Sequence, residues 1–414
     1  MKDFTPFLIS WNITKRCNLK CMHCYLDAAE LSSPKGELST QEAFSLIDEI
    51  SKTAPNAMLI LTGGEPLLRD DVFDIAKYAS SKGLMVVLGT NGTMIDARIA
   101  CQIKESNIKG IGISIDSIKP ESHDDFRGIQ GAWQKTLSGI DVLKKHKIDF
   151  QLQVTVTKNN YNEIPFLIEY SIKSGARAVN VFFLVCTGRG QEMTDITPKQ
   201  YEDMLKYLAN AQKEYEDKIM VRARCAPHFL RVVQEINPDS EIMKGATSGC
   251  LAGTHYFRIT PEGDVTPCPY MPTSAGNVRK QRLSEIWDNA DIFKTLRNPV
   301  YKGNCKDCEF NDVCGGCRAR AYAEKGDVME GDSWCEYESG SGVRGQGSRV
   351  RKKDTEIFWT DEAKERLDKV PVFLRAMVKK GVEGYAKRKG LKEITPDIMM
   401  EMRKRVKRKQ DIET

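Results

Sequence analysis

The stretch Phe7-Leu8-Ile9-Ser10-Trp11-Asn12-Ile13-Thr14-Lys15-Arg16-Cys17-Asn18-Leu19-Lys20-Cys21-Met22-His23-Cys24-Tyr25 decides the reading of this chain. Its apolar first half predicts a buried strand. The polar Thr14-Lys15-Arg16 then delivers three thiols, within eight positions, onto a loop at the strand's C-terminal end. Three cysteines are one short of the four thiolates that close an ordinary iron–sulfur cluster. A centre with a missing protein ligand keeps a position open for substrate, as open zinc sites do.

Outward from this stretch the same pattern repeats. Met58 to Leu61 ends in Thr62-Gly63-Gly64-Glu65-Pro66, and Leu84 to Leu88 leads to Thr90-Asn91-Gly92. Gly110 to Ile115 ends at Asp116, Phe150 to Val156 before Asn159-Asn160, and Val179 to Val185 before Gly188-Arg189-Gly190. Helical patterns intervene, one from about Thr40 with Ser39 as its cap, others over 71–81, 133–146 and 164–174. Six strand–helix units in series predict a parallel sheet with helical crossovers. In such sheets sites form at the strands' C-terminal ends.

That rule gathers the polar groups just named around one mouth. Gly63 and Gly64 let backbone approach a ligand closely. Glu65, held extended by Pro66, is placed to accept a proton or hydrogen bond from an amino group. Asp116 and Asn160 are candidates for ribose hydroxyls and Arg127 for a carboxylate. Singly, each also reads as a turn or cap residue; their repeated position at strand ends favours function.

Past Glu192 the alternation lapses into a long polar helix, 198–216, and then Arg224-Cys225-Ala226-Pro227-His228. A second cysteine field follows: Cys250, Cys268, Cys305, Cys308, Cys314, Cys317 and Cys335. Tyr256 to Thr260 and Asp264 to Thr266 flank Pro261-Glu262-Gly263 as a hairpin, which draws Cys250 and Cys268 together. Cys305/Cys308 and Cys314/Cys317 form two close pairs whose spacing suits zinc as well as iron. Glycine and serine dominate 339–347, a flexible linker. A compact helical unit begins after Trp359, with Thr360 capping one helix, a second over 371–389 and a third opened by Thr395-Pro396. The tail 403–409 is mainly basic, a solvated helix end or a contact for an acidic partner.

A chain of 414 residues holds two or three domains. No apolar run approaches the roughly 20 residues of a membrane-spanning helix, and no leader precedes the first strand, so a cytoplasmic location is expected. In that compartment thirteen cysteines point to metal binding rather than disulfides. The net charge of +5 comes largely from the last sixty or so residues and argues against a nucleic-acid-binding chain.

Cys17-x3-Cys21-x2-Cys24 followed by an aromatic residue, Gly-Gly-Glu-Pro on the second strand and six strand–helix units together resemble the radical S-adenosylmethionine enzymes. The resemblance implies an α/β fold, a partial TIM barrel of (β/α)6, with Cys17, Cys21 and Cys24 holding a four-iron, four-sulfur cluster. Its open iron would be chelated by S-adenosylmethionine, which one electron from a donor such as ferredoxin or flavodoxin cleaves to a 5′-deoxyadenosyl radical. Gly63, Gly64 and Glu65 would sit at the methionine amino end, and Asp116, Arg127 and Asn160 at the ribose and carboxylate.

The second cysteine field resembles the SPASM extension of these enzymes, implying two auxiliary four-iron clusters. Cys250, Cys268 and Cys317 would hold the first, and Cys305, Cys308, Cys314 and Cys335 the second. Cys314 and Cys317 are separated by two residues where the usual pattern has three. Seven thiols then serve eight positions, so the first auxiliary cluster has an open iron or takes another ligand, with His255 and Cys225 as candidates at spacings the resemblance does not specify. Cys101 and Cys186 read as small buried packing residues.

Gly188-Arg189-Gly190, Cys314 to Tyr322 and Ala275-Gly276-Asn277-Val278 look most like the branch that modifies haem precursors, decarboxylases of propionate side chains included. The C-terminal unit looks like the helical module of light-independent protochlorophyllide reductase. The expected domains are a barrel (1–215), the SPASM domain (216–338), a linker (339–354) and a small helical domain (355–414). The expected activity is hydrogen abstraction from a tetrapyrrole side chain, with Arg189, Arg318 and Arg320 pairing with its carboxylates or serving as structural arginines. Two rivals stand beside it: a SPASM peptide maturase, which usually carries an N-terminal winged helix not evident here, and a zinc-ribbon protein whose basic tail contacts nucleic acid.

Overall fold

The computed structural model describes residues 4–29, 35–185, 187–192, 196–245, 249–338, 358–370, 375, 378, 379, 381–383, 385, 386, 391 and 393–401. Two compact units emerge, one of residues 1–236 and 247–341, the other of 237–246 and 342–414.

The larger unit is built on one sheet. Its strands are β1 (Leu8–Asn12), β2 (Met58–Thr62), β3 (Met85–Thr90), β4 (Gly110–Ser114), β5 (Phe150–Val156), β6 (Ala178–Phe183), β7 (Met220–Arg224), β8 (Tyr256–Ile259), β9 (Asp264–Thr266) and β10 (Gly276–Asn277). They lie in the order β10-β9-β8-β1-β2-β3-β4-β5-β6-β7. From β8 through β7 every pairing is parallel, so the partial barrel carries eight parallel strands, two beyond the six expected. The expected hairpin of β8 and β9 forms, but its first strand joins the barrel beside β1.

Between the strands run α1 (Thr40–Thr53), α2 (Val72–Ser81), α3 (Ala97–Glu105), α4 (Pro120–Arg127), α5 (Ala132–Lys145), α6 (Ile164–Ser174), α7 (Pro198–Glu214) and α8 (His228–Ile236). Ser39 caps α1 as expected, in a reciprocal capping box with Glu42. Strict alternation along the strands sorts the sheet's two faces. Leu59, Leu61, Val86, Leu88, Leu152 and Val154 are fully buried on the helix-covered face. Their neighbours Thr62, Gly89, Gln151, Gln153 and Thr155 face the other way and are less buried. The inner face is therefore largely polar, with Met58, Ile60, Met85 and Val87 as its apolar patch on β2 and β3, unlike the branched apolar filling of a fully packed barrel.

The smaller unit pairs Phe358–Trp359 with Glu393–Ile394 and packs Ala363, Val382, Ala386 and Ile394 into a core. Thr360 caps the helix Asp361–Asp368 as expected. The expected linker 339–354 and basic tail 403–409 lie outside the described residues, as does most of the helix expected over 371–389.

Candidate active site and thiol centres

The cysteine loop is fastened to the end of β2. Gly64 N donates to Thr14 O (2.8 Å) and Glu65 N to Arg16 O (2.8 Å). A Cβ on Gly63 would stand 2.4 Å from Thr14 O, and one on Gly64 2.1 Å from Arg16 O. The two glycines thus admit the chain's own backbone, whereas the sequence suggested that they clear a path for a ligand. Glu65 is fully buried and accepts from Leu67 N (3.1 Å), Thr90 Oγ1 (2.8 Å) and Asn91 N (2.9 Å), so it ties β2 to β3 beneath the loop. Burial pushes its carboxyl up to about 7, against the pull of these three donors.

Cys17, Cys21 and Cys24 pack into one cluster with Leu19, Leu26, Ala28 and Ala132. Burial pushes the Cys17 thiol up to about 12 and raises that of Cys21. Several groups wait to stabilise sulfur that carries negative charge. Leu19 N points at Cys17 Sγ (3.4 Å), Ala28 N at Cys24 Sγ (3.4 Å) and an Arg127 nitrogen at Cys21 Sγ (3.5 Å). Donors aimed at thiolate sulfur and a cation beside it are what a negatively charged iron–sulfur centre requires, so this donor set fits such a group.

Arg127, Asp116 and Asn160 lie together at the ends of β4 and β5, yet mostly engage each other. Arg127 is ion-paired with Asp116, whose other oxygen accepts from Thr155 N (2.9 Å). Burial works to raise the Asp116 carboxyl, but Arg127, with His23 and His123 nearby, holds it below the ordinary range. Asn160 spends both amide hydrogens on the carbonyls of Asp116 and Thr155 (2.8 Å each). These bonds hold the three in one network, which braces Arg127 against Cys21.

Arg189 belongs to this site in a way the sequence did not indicate. Its side chain donates to Cys21 O (2.9 Å), Asp27 (2.7 Å) and Ala28 O (3.0 Å), and its backbone N to Cys24 O (3.1 Å). It clamps the cysteine loop rather than reaching out to a substrate carboxylate. Sequence offered Arg189 as a partner for substrate carboxylates or a structural arginine, and pairing it with a loop 160 or so positions earlier needs the fold.

The polar inner face continues from this loop. Asn12 donates to Tyr25 Oη (2.9 Å) and accepts from Arg258, while Ser10 and Tyr256 share a hydrogen bond of 2.6 Å. Farther round, Arg224 donates to Asn180 (2.9 Å), which donates to Gln151 (2.9 Å). Arg222 lies opposite Asn180 in the neighbouring strand, on the same face. Burial pushes the Arg222 guanidinium down to about 10, with the Arg224 charge adding to the effect, and burial lowers Arg224 also.

The later cysteines form two further groups. Cys268 and Cys317 are buried in one cluster against which Cys250 packs. Cys305, Cys308, Cys314 and Cys335 line a small cavity with His228 and Arg231. Here too backbone amides point at sulfur, Phe310 N at Cys308 (3.5 Å) and Gly316 N at Cys314 (3.4 Å). Among the described residues no three His, Cys, Asp or Glu side chains converge on a single ion. A cluster in which each iron takes its own thiolate asks for that wider spacing.

Arg318 and Arg320, candidates for substrate contact, are buried and internally bonded. Arg318 donates to Val328 O (2.7 Å) and Glu330 O (3.0 Å), and Arg320 pairs with Asp332 (2.9 Å). His255 stacks on Phe7 (5.2 Å between centroids) and meets Thr5 O (3.1 Å), as an ordinary packing residue of the β8 entry. Cys101 is exposed, contrary to expectation, because the apolar side of α3 is formed by Ile99, Ala100 and Ile103. Cys186 lies outside the described residues.

Comparison with known proteins adds to this geometry. Residues 11–170 match the model of the radical SAM superfamily, 250–309 that of an iron-sulfur cluster-binding domain, and 359–403 that of the proto-chlorophyllide reductase 57 kD subunit. The AdoMet-dependent heme synthase of Methanosarcina barkeri is 44% identical over 344 residues, 81% of this chain and 97% of that protein. The pre-heme d1 synthase of Dinoroseobacter shibae is 32% identical over 348 residues, 79% of this chain and 85% of that protein. Among solved structures, Streptococcus suis SuiB bound to S-adenosylmethionine superposes with a TM-score of 0.64 at 16% identity, over 80% of this chain and 77% of that one, a likeness of fold.

Proposed function

The chain belongs to the radical SAM superfamily and carries its iron–sulfur cluster-binding domain, and on that premise we propose that it removes a carboxylate from a side chain of an iron-bearing tetrapyrrole. The observation that carries the reading is the pair Arg222 and Arg224 on the barrel's polar inner face. Neither makes an ion pair with a carboxylate among the described residues, and each is charged at the cost of burial. Two such guanidiniums on alternate positions of one strand suit a ligand that brings at least two carboxylates of its own. The likeness to an AdoMet-dependent heme synthase, which spans nearly all of that protein, supports a tetrapyrrole.

When bound, the cluster and S-adenosylmethionine supply a radical able to take a hydrogen atom from the substrate. The chain's residues bind and orient. Glu65 and the Thr14–Arg16 backbone fix the cysteine loop over β2. Arg127 and Arg189 hold that loop from the opposite side and place positive charge beside Cys21. Arg222 and Arg224 hold the carboxylates so that one substrate side chain faces the mouth of the barrel. We assign two auxiliary clusters to the later thiol groups, and a low-potential donor such as ferredoxin or flavodoxin in the cytoplasm as the electron source.

Anaerobic titration with iron-coproporphyrin tests this. Losing a charge-assisted hydrogen bond costs about 1.5–3 kcal/mol, so Arg222→Gln and Arg224→Gln are each expected to weaken binding by roughly ten- to a hundredfold. Substrate-independent cleavage of S-adenosylmethionine should be unaffected. Equal affinity for the methyl-esterified porphyrin would overturn the carboxylate reading. Substrate-dependent 5′-deoxyadenosine formed with a peptide but not with the porphyrin would transfer the assignment to peptide maturation.

A further inference from the structure

Four cysteines, not three, gather at the end of β7. Cys225 follows β7 directly and packs against the cluster that contains Cys268 and Cys317, as Cys250 also does. We infer that Cys225 is the fourth thiol of the centre formed by Cys250, Cys268 and Cys317, so that this auxiliary cluster is closed by protein ligands on every iron. The inference rests on the reading that the chain carries auxiliary clusters, and it selects among the fates left for the first of them.

Two independent features hold Cys225 in that place. One Arg320 nitrogen donates to Cys225 O (3.3 Å) and another to Asp332 (2.9 Å), while the same Asp332 oxygen accepts from Cys317 N (2.7 Å). A single buried Arg–Asp pair therefore fixes the backbone of two cysteines far apart in the chain. The backbone of Cys225 is also left-handed, with φ of +55°. For a residue with a Cβ this conformation is disfavoured, and Gly or Asn would hold the turn at less cost. Arg224, the preceding residue, is anchored to Asn180, so the turn begins from a fixed strand end. The other candidate, His255, is engaged elsewhere, its ring stacked on Phe7 and its Nδ1 meeting Thr5 O, and it is not among the residues packed on the Cys268 and Cys317 cluster.

The consequence is chemical. A cluster with four thiolates has no iron free to bind substrate, which suits electron transfer. The open position is left to the Cys17, Cys21, Cys24 centre alone. Eleven of the twelve described cysteines then have a partner group, and the twelfth is the exposed Cys101.

The test uses the full chain, reconstituted anaerobically, with Cys17, Cys21 and Cys24 all changed to Ala to silence the first centre. That background is expected to hold about eight irons, two clusters of four, with electron paramagnetic resonance spectra indifferent to added cyanide. Adding Cys225→Ala should either remove about four of those irons or leave a cluster whose spectrum shifts with cyanide or 2-mercaptoethanol, ligands able to reach the vacated iron. Cys225→Ser, which keeps an oxygen ligand, should shift the spectrum with iron retained, and it decides the matter if the Ala variant loses its native circular dichroism. Cys101→Ala should change nothing. Unchanged iron and spectra in both Cys225 variants, with or without cyanide, would overturn the inference. A background holding about four irons or fewer would show instead that the two-auxiliary-cluster reading itself fails, before any Cys225 variant is made.

Discussion

Cys21 sits where two cations converge, with Arg127 at its sulfur and Arg189 at its carbonyl. Cys21→Ala should remove about four of about twelve irons and abolish 5′-deoxyadenosine formation, leaving the later thiol groups loaded. Cleavage at the normal rate would refute the assignment of the first centre. Glu65 gives a second test of the same loop. A glutamine there offers one acceptor oxygen and turns an NH2 towards donors, leaving a buried donor unmet at a cost of about 1–3 kcal/mol. Glu65→Gln should therefore lower the urea midpoint, and an unchanged midpoint would show that the three donors are dispensable. At this scale the sequence grouped these residues more readily than it disclosed their bonds. Asp116 and Asn160 stand at strand ends as expected and Arg127 closes α4, but which atoms they meet depends on groups from separate segments of the chain. No spacing rule encodes that.

Helix α1 shows a cap that was legible, because Ser39 and Glu42 are local to each other. The structure adds Arg279, which donates to both Glu42 oxygens (2.6 and 3.1 Å) from more than two hundred residues away. That ion pair, then the Ser39 amide, draws the Glu42 carboxyl down to about 2 from an ordinary 4.5. Since the folded value is the lower one, the stabilisation is complete above about pH 4.5 and is lost as pH falls towards 2. The pair is slightly over a third exposed, so its worth is at most about 1 kcal/mol after screening. Urea unfolding of Arg279→Gln beside the parent chain should show this gap at pH 7 and a shrinking one below pH 4.5; a constant gap would rule out titration of Glu42 as its cause. Strand β7, by contrast, was not legible. Its Arg222 and Arg224 interrupt the apolar pattern on the very positions that face the barrel interior, so a functional lining erased the strand signal. The first six strands escaped this because enough of each is apolar on both sides or on the helix-covered face.

Across the larger unit, eleven thiols are distributed over three groups, all free of disulfides. Burial pushes Cys17 and Cys225 up to about 12, so without metal these thiols are neutral and the donors aimed at sulfur lack a charged partner. Chelation of iron should therefore lower the melting temperature, by about 5 °C or more for a few kcal/mol of lost binding energy. A melt indifferent to iron would show that the clusters are passengers in the fold.

The position of β1 between β2 and β8 carries a consequence for the order of events in synthesis. Trp11 pairs with Leu61 on one side and with Ile259 on the other. β1 thus waits for nearly two hundred and fifty residues of synthesis before its second edge is covered, and contacts of such separation are slow to form. The cysteine loop that β1 carries is likewise made before Arg127, Ala132 and Arg189, the residues that shelter it. Iron delivery to it must then either follow the synthesis of these residues or rely on a carrier that guards three exposed thiols through the interval.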